Sequence, residues 1–326
     1  MSSGTSKFPG TPASYVVTMN RPLPDRDGFI EFRGHRTWYR SIGEDAPGRL
    51  PLVVLHGGPG ATHQYLQPLA ALAASGRRVI LYDQIGCGRS DHPADETFYT
   101  VSTFVDELDA LRAQLDLPAV HVLGQSWGGM LAMEYALTHP SGLASIVVAD
   151  SPASMSMWVS EANRLRAELP PEVERTLREH EAAGTTSDPA YIAASDVFYR
   201  RHVCRLAEWP ACVNDAFASL ATDGFVYNVM NGPSEFHCIG TLKEWDITGR
   251  LPEIDVPTLL LSGRYDEATP AIVGAIHERI RGSEWIVFEE SSHMPHVEEP
   301  AAFNAAVRGF IAGVETARFI APAVTN

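Results

Sequence analysis

The sequence predicts an α/β fold: a doubly wound, mostly parallel sheet with an inserted helical cap. Three observations point there. Six short runs rich in Val, Ile and Leu are apolar on both faces, as strands covered by helices on each side must be. Helical patterns separate most of these runs, and such alternation belongs to a doubly wound sheet. One interval of roughly ninety residues holds no buried-strand run at all.

Taken in order, the first fourteen residues, MSSGTSKFPGTPAS, are rich in Ser, Thr, Gly and Pro and read as a loose tail. YVVTM (15–19), GFIEFRG (28–34) and RTWYRSIG (36–43) have strand character, are separated by turn residues, and suit an antiparallel edge. The six buried runs follow. They are PLVVLHGGPG (51–60), RRVILYDQIG (77–86), AVHVLGQSWGG (119–129), ASIVVADSP (144–152), VPTLLLSGRYD (256–266) and SEWIVFEESSH (283–293), most of them ending in Gly, Ser, Asp or His. VSTFVDELDALRAQLDL (101–117) and PAIVGAIHERIRG (270–282) carry helical spacing between them. Residues 153–245 contain only helix-like segments rich in Arg, Glu, Trp and Tyr, set between two strands that one sheet needs. The expected organisation is a core over 15–152 and 246–326, with residues 153–245 as a cap over the strands' C-terminal edge, where open α/β sheets bind ligands.

Composition narrows the function. Of 326 residues, 45% are hydrophobic and 20% charged, ordinary for a soluble chain with a real core. A formal net charge of −15 without any Lys/Arg run opposes a phosphate backbone, so no nucleic-acid partner is expected. No run of about eighteen apolar residues could span a bilayer, and the N-terminus lacks an apolar signal core, so we expect a cytoplasmic protein with no membrane partner. Cys87, Cys204, Cys212 and Cys238 lack CxxC spacing and nearby His clusters. Neither a metal, another cofactor nor a disulfide framework is expected.

GQSWGG (124–129) sits between a strand and a helix pattern. Gly-x-Ser-x-Gly lets the chain turn sharply and lifts the middle residue, Ser126, above the sheet as a nucleophile. HGGPG (56–60) ends an earlier strand. The N–H groups of Gly58 and Trp127 are the expected oxyanion donors when Ser126 attacks a carbonyl. A serine hydroxyl needs a base, and chain order Ser, Asp, His points to His293, in the loop after the last core strand, with His296 as its near competitor. The acid that orients the base belongs at the end of a strand between them. Asp266 meets that requirement, and Asp150, ending ASIVVAD, is the rival position.

With these residues placed, the chain resembles the proline iminopeptidase family, serine aminopeptidases of the α/β-hydrolase superfamily, and most of all the tricorn-interacting aminopeptidase branch and its amino-acid amidase relatives. HGGPG, GQSWGG, FYRRHVCR, NGPSEF, GTLKEWDI, SGRYDEATP and SSHMPHVEEP carry the resemblance, between about Pro51 and Phe310. It implies the α/β-hydrolase fold and removal of an N-terminal residue, often proline, from a small peptide or amino-acid amide through an acyl-enzyme. It also implies that two acidic side chains hold the free amino group: Glu235 of NGPSEF and Glu267, next to Asp266. An ammonium drawn into a partly dry pocket needs such anionic partners.

Ser126 at the nucleophile turn counts against an epoxide hydrolase or dehalogenase, which attack with a carboxylate there. Two alternatives stay open: an esterase or amidase of a biosynthetic pathway without a free-amine requirement, and a non-catalytic receptor that uses the cap as a lid.

Overall fold

The structure, a computed structural model, describes residues 23–320. The sequence's expected tail (1–14) and the run 15–19 lie outside them. Strands β1 (Asp25–Phe32) and β2 (His35–Ile42) form an antiparallel hairpin whose β2 also pairs antiparallel with β4. Strands β3 (Leu52–Leu55), β4 (Val79–Tyr82), β5 (Val120–Gln125), β6 (Leu143–Ala149), β7 (Thr258–Gly263) and β8 (Glu284–Phe288) run parallel. The sheet order is β1-β2-β4-β3-β5-β6-β7-β8. All six runs become strands, but the last, β8, lies at the sheet edge and is exposed or half-buried up to Val287, not covered on both faces as its sequence suggested.

Alternation along each strand assigns its side chains to two apolar layers. On one face Val53, Leu55, Ile80, Val122, Ile146 and Leu260 meet helices α1 (Val101–Gln114), α2 (Trp127–Ala136) and α8 (Pro270–His277). On the other, Leu52, Val54, Leu81, Leu123, Val147 and Leu261 pack on a 3₁₀ segment (His63–Ser75) and helix α10 (Pro300–Ile320). The sequence reading did not anticipate the 3₁₀ segment, because Pro68 interrupts its helical pattern. Among the described residues no helix is long and apolar enough to cross a membrane.

Between β6 and β7 come helices α3 (Met155–Arg166), α4 (Pro171–Ala183), α5 (Pro189–His202), α6 (Ala211–Thr222) and α7 (Phe225–Met230). Sequence sets their ends: Asp188 accepts the N–H of Ala190 with Pro189 at the first helical position, and Gly184 closes α4 in the left-handed conformation. Several of these helices share an apolar cluster of their own, containing Leu165, Leu177, Tyr191, Phe198 and Phe236. A short helix α9 (Pro295–Glu298) precedes α10.

Glu315 ties α10 to the sheet. Its carboxylate takes Arg77 Nη1 at 2.9 Å, Arg49 Nη1 at 2.7 Å and the Leu50 N–H at 2.9 Å, and both it and Arg77 are nearly fully buried. Burial alone would raise its pKa, but the nearby His121 ring and hydrogen bonds from Arg77, Leu50 and Arg49 outweigh that and hold the carboxyl well below the usual range. A depressed folded-state pKa contributes stability that is present above the unfolded value, about 4.3, and lost as pH falls through the folded one. Glu315→Gln should therefore cost about 3 kcal/mol near neutral pH, because it leaves Arg77 buried without its anion. Urea unfolding of the two proteins should show that gap narrowing in strong acid.

Candidate active site

The turn after β5 is where sequence constrains backbone most tightly. Ser126 adopts φ 57° and ψ −125°, a region that a non-glycine residue occupies only under strain. Its neighbours make the turn possible. A Cβ on Gly124 would strike the carbonyl of Gly128, and one on Gly128 would strike the carbonyl of Leu55. The carbonyl of Ser126 accepts the N–H groups of Gly129 (2.8 Å) and Met130 (3.2 Å), starting α2 immediately. Trp127, the first residue of that helix, has no preceding-turn carbonyl for its own N–H.

HGGPG lies against this turn and is fixed by side chains that the sequence reading missed. Tyr65 accepts the Gly57 N–H at 2.7 Å and donates to Gln125 Oε1 at 2.6 Å, while Gln125 Nε2 donates to the His293 carbonyl at 2.8 Å. One chain of hydrogen bonds therefore links the HGGPG loop, the end of β5 and the loop carrying His293. His56 is spent structurally: it contacts the Gly57 carbonyl and accepts the Gln84 N–H (2.9 Å each). Burial holds its pKa down at about 4, so it stays neutral. Gln84 in turn accepts the Trp127 indole N–H at 2.8 Å. No sequence motif marks Tyr65 or Gln84, whose roles depend on loops from distant strands meeting.

His293 Nδ1 lies 2.7 Å from Asp266 Oδ1, which also takes the Ala268 N–H at 2.8 Å. Burial works against a charged His293, yet Asp266 and Glu235 outweigh it and raise the imidazole pKa. Competitor His296 is fully buried with Nε2 at 3.2 Å from the Tyr65 carbonyl, and burial lowers its pKa to about 3. No hydrogen bond joins Ser126 Oγ to His293 among the described residues, although both line the same cavity. Asp150 is fully buried and takes the Gly263 N–H at 3.2 Å. No hydrogen bond joins it to His293 among the described residues, and the charge of Asp266 acts on it.

That cavity, of about 740 Å³, is bounded by Gly58, Ser126, Tyr199, Glu235, Glu267 and His293 among others. A narrow apolar notch between Trp127, Met130, Met155 and Trp158 opens beside Ser126 and also touches Gly58 and Glu235. All the residues singled out in sequence thus converge, with Asp266 supporting His293 from behind. Glu235 accepts the Tyr227 hydroxyl at 2.7 Å, and its carbonyl accepts the Trp158 indole at 2.6 Å. Glu267 is 1% exposed, and neither of its carboxyl oxygens has a hydrogen-bond partner. Its Oε1 lies 3.8 Å from His293 Nε2. Burial, then the nearby charges of Glu235 and Asp266, push its pKa well above the carboxylate range. The inserted helices also hold the backbone of the site: the carbonyl of His202, ending α5, accepts the N–H groups of Glu267 (3.4 Å) and His293 (3.2 Å).

Comparison with known proteins bears on the fold and the family. Residues 51–300 match the alpha/beta hydrolase fold family. The proline iminopeptidase of Saccharolobus solfataricus is 39% identical over 299 residues, covering 91% of this chain and 96% of that protein. That of Heyndrickxia coagulans is 41% identical over 285 residues, covering 87% and 98%. The crystal structure of a Mycobacterium smegmatis proline iminopeptidase superposes with TM-score 0.84 at 44% identity, covering 90% of this chain and all of that one, and the crystal structure of VinJ with TM-score 0.86 at 46% identity, covering 89% and 99%. With a strand-to-helix serine turn, a buried Asp–His pair and relatives of this similarity over most of its length, the chain belongs to the proline iminopeptidase family of α/β-hydrolase-fold serine hydrolases.

Proposed function

We propose that this chain hydrolyses the amide bond that follows an N-terminal amino acid in a small peptide or amino-acid amide. Ser126 Oγ attacks the carbonyl carbon while His293 Nε2 takes its proton, and Asp266 holds the Nδ1–H and stabilises the imidazolium. The N–H groups of Gly58 and Trp127 receive the developing oxyanion. Collapse breaks the C–N bond, and His293 returns the proton to the departing amine. Water, deprotonated by the same imidazole, then hydrolyses the Ser126 ester. Residues 153–245 act as the cap that closes this site from bulk water. Four free cysteines suit a reducing, cytoplasmic setting.

One observation supports the exopeptidase part of the reading: the buried carboxyl of Glu267, whose oxygens have no hydrogen-bond partner, beside Glu235 in the same cavity. A carboxylate in a dry site costs several kcal/mol unless a cation meets it. A substrate α-ammonium supplies that cation and relieves the repulsion between the two acids. An esterase with no free-amine requirement would have no use for the arrangement.

Ser126→Ala should abolish hydrolysis of aminoacyl p-nitroanilides and labelling by a fluorophosphonate; labelling that persists elsewhere on the chain would sink the assignment. Glu235→Gln and Glu267→Gln should each lower kcat/KM for free-amine substrates by about a hundredfold, roughly 3 kcal/mol, and change simple esters by only a few-fold. Equal losses on both substrate types would refute amine recognition. Because Asp266 raises the His293 pKa, the neutral base is lost as pH falls through a value above the ordinary 6.5. The acidic limb of kcat/KM, measured on an ester that carries no titrating amine, should therefore lie above pH 6.5.

A further inference from the structure

Asp150 has no place in the mechanism above, yet the fold invests in it. It closes β6 with a left-handed backbone, φ 54°, is fully buried, and is stitched to β7 twice: its N–H donates to the Leu261 carbonyl at 2.9 Å and its Oδ1 accepts the Gly263 N–H at 3.2 Å. Three residues past Gly263 stands Asp266, whose Oδ1 serves His293 and the Ala268 N–H. Asp150 Oδ2 and Asp266 Oδ2 are both buried and neither has a hydrogen-bond partner, and Asp266 is the charged neighbour that acts most strongly on Asp150.

Two neighbouring carboxyls in a dry site oppose each other's ionisation. One proton between them relieves that opposition. Asp266 is the anion, because its other oxygen faces the Nδ1–H of His293, whereas no cation contacts Asp150 among the described residues. We propose that Asp150 stays a neutral carboxylic acid and donates its O–H to Asp266 Oδ2, making it a positioning residue of the hydrolytic site. Burial and the facing charge of Asp266 push the Asp150 pKa well above the carboxylate range, in keeping with this.

The hydrogen bond does two things. It fixes the second oxygen of Asp266, so that the carboxylate plane cannot rotate away from His293. It also draws charge from Asp266 and limits how strongly that anion holds the imidazolium, keeping His293 able to release its proton to the leaving amine. The titratable groups facing this assembly are Glu235, Glu267, Glu298, His296, Tyr65 and His202, all unchanged when Asp150 alone is replaced.

The proposal rests on the hydrolase reading of Ser126, Asp266 and His293, and the test separates the two. Asp150→Asn keeps a donor toward Asp266 and an acceptor for Gly263, and should leave kcat on a good ester or anilide within about threefold and the acidic limb of the pH profile unmoved. Asp150→Ala removes the donor; it should lower kcat by about tenfold or more and move the acidic limb upward, since Asp266 then holds the imidazolium more tightly. Infrared difference spectra at neutral pH should show a protonated carboxyl C=O band in the wild type that Asp150→Asn lacks. If Asp150→Asn loses more than about threefold in kcat, or moves the limb downward as removal of an anion would, Asp150 is charged and the proposal falls. Should Asp150→Ala fail to fold, the Asn variant and the infrared band decide alone. Loss of the hydrolase reading would appear elsewhere, as activity surviving Ser126→Ala.

Discussion

The strained turn at Ser126 is the constraint from which the rest of the site follows. A serine can stand above the sheet at φ 57° only if the residues two before and two after it have no side chain, because their Cβ positions are already filled by carbonyls of the turn and of β3. The strain of such a conformation, on the order of 1–3 kcal/mol, is carried by the surrounding structure. Here that structure is a parallel sheet buried on both faces and a helix that begins at the very next residue. The same turn leaves a helix N-terminus open beside the serine hydroxyl, so donor and hydroxyl come from a single piece of backbone.

Around that turn the protein gathers acids where it could have placed apolar side chains. Asp150, Asp266 and Glu267 are all buried within a few residues of β6 and β7, and Glu235 joins them from the insert. Their environments differ and so do their protons. Asp266 is matched by an imidazole, Asp150 takes only the Gly263 N–H, and neither oxygen of Glu267 has a hydrogen-bond partner. Such a cluster is unfavourable for stability by itself. Its cost becomes intelligible if a cationic amine is the group the cavity receives.

The inserted helices are coupled to this chemistry at several points, among them the His202 carbonyl, the Glu235 carboxyl and the Trp158 ring beside His293. His202 bonds the backbone on both sides of the Asp266–His293 pair, so a shift of α5 would displace Glu267 and His293 together. Those helices have an apolar cluster of their own, around Leu177, Phe198 and Phe236, while Trp158, Val226, Met230, Val213 and Ala216 pack into the two apolar layers of the sheet. Choice of substrate and alignment of the base are thus mechanically joined.

The sequence by itself determined the strands, because runs apolar on both faces have few other ways to be buried, and it determined the serine turn, because only glycines fit beside it. Chain order singled out His293 and Asp266, and resemblance to the iminopeptidases pointed to Glu235 and Glu267. What tertiary structure alone decided are relations between residues far apart in the chain. Asp150 read as a rival to Asp266 and becomes its neighbour, since adjacent parallel strands bring Asp150 onto the N–H of Gly263, 113 residues further on. Tyr65, Gln84 and Tyr227 carry no motif, and each acquires its role only where loops from different strands and helices converge. Local pattern encodes local conformation; which buried carboxyl keeps its proton depends on which charges the fold sets beside it.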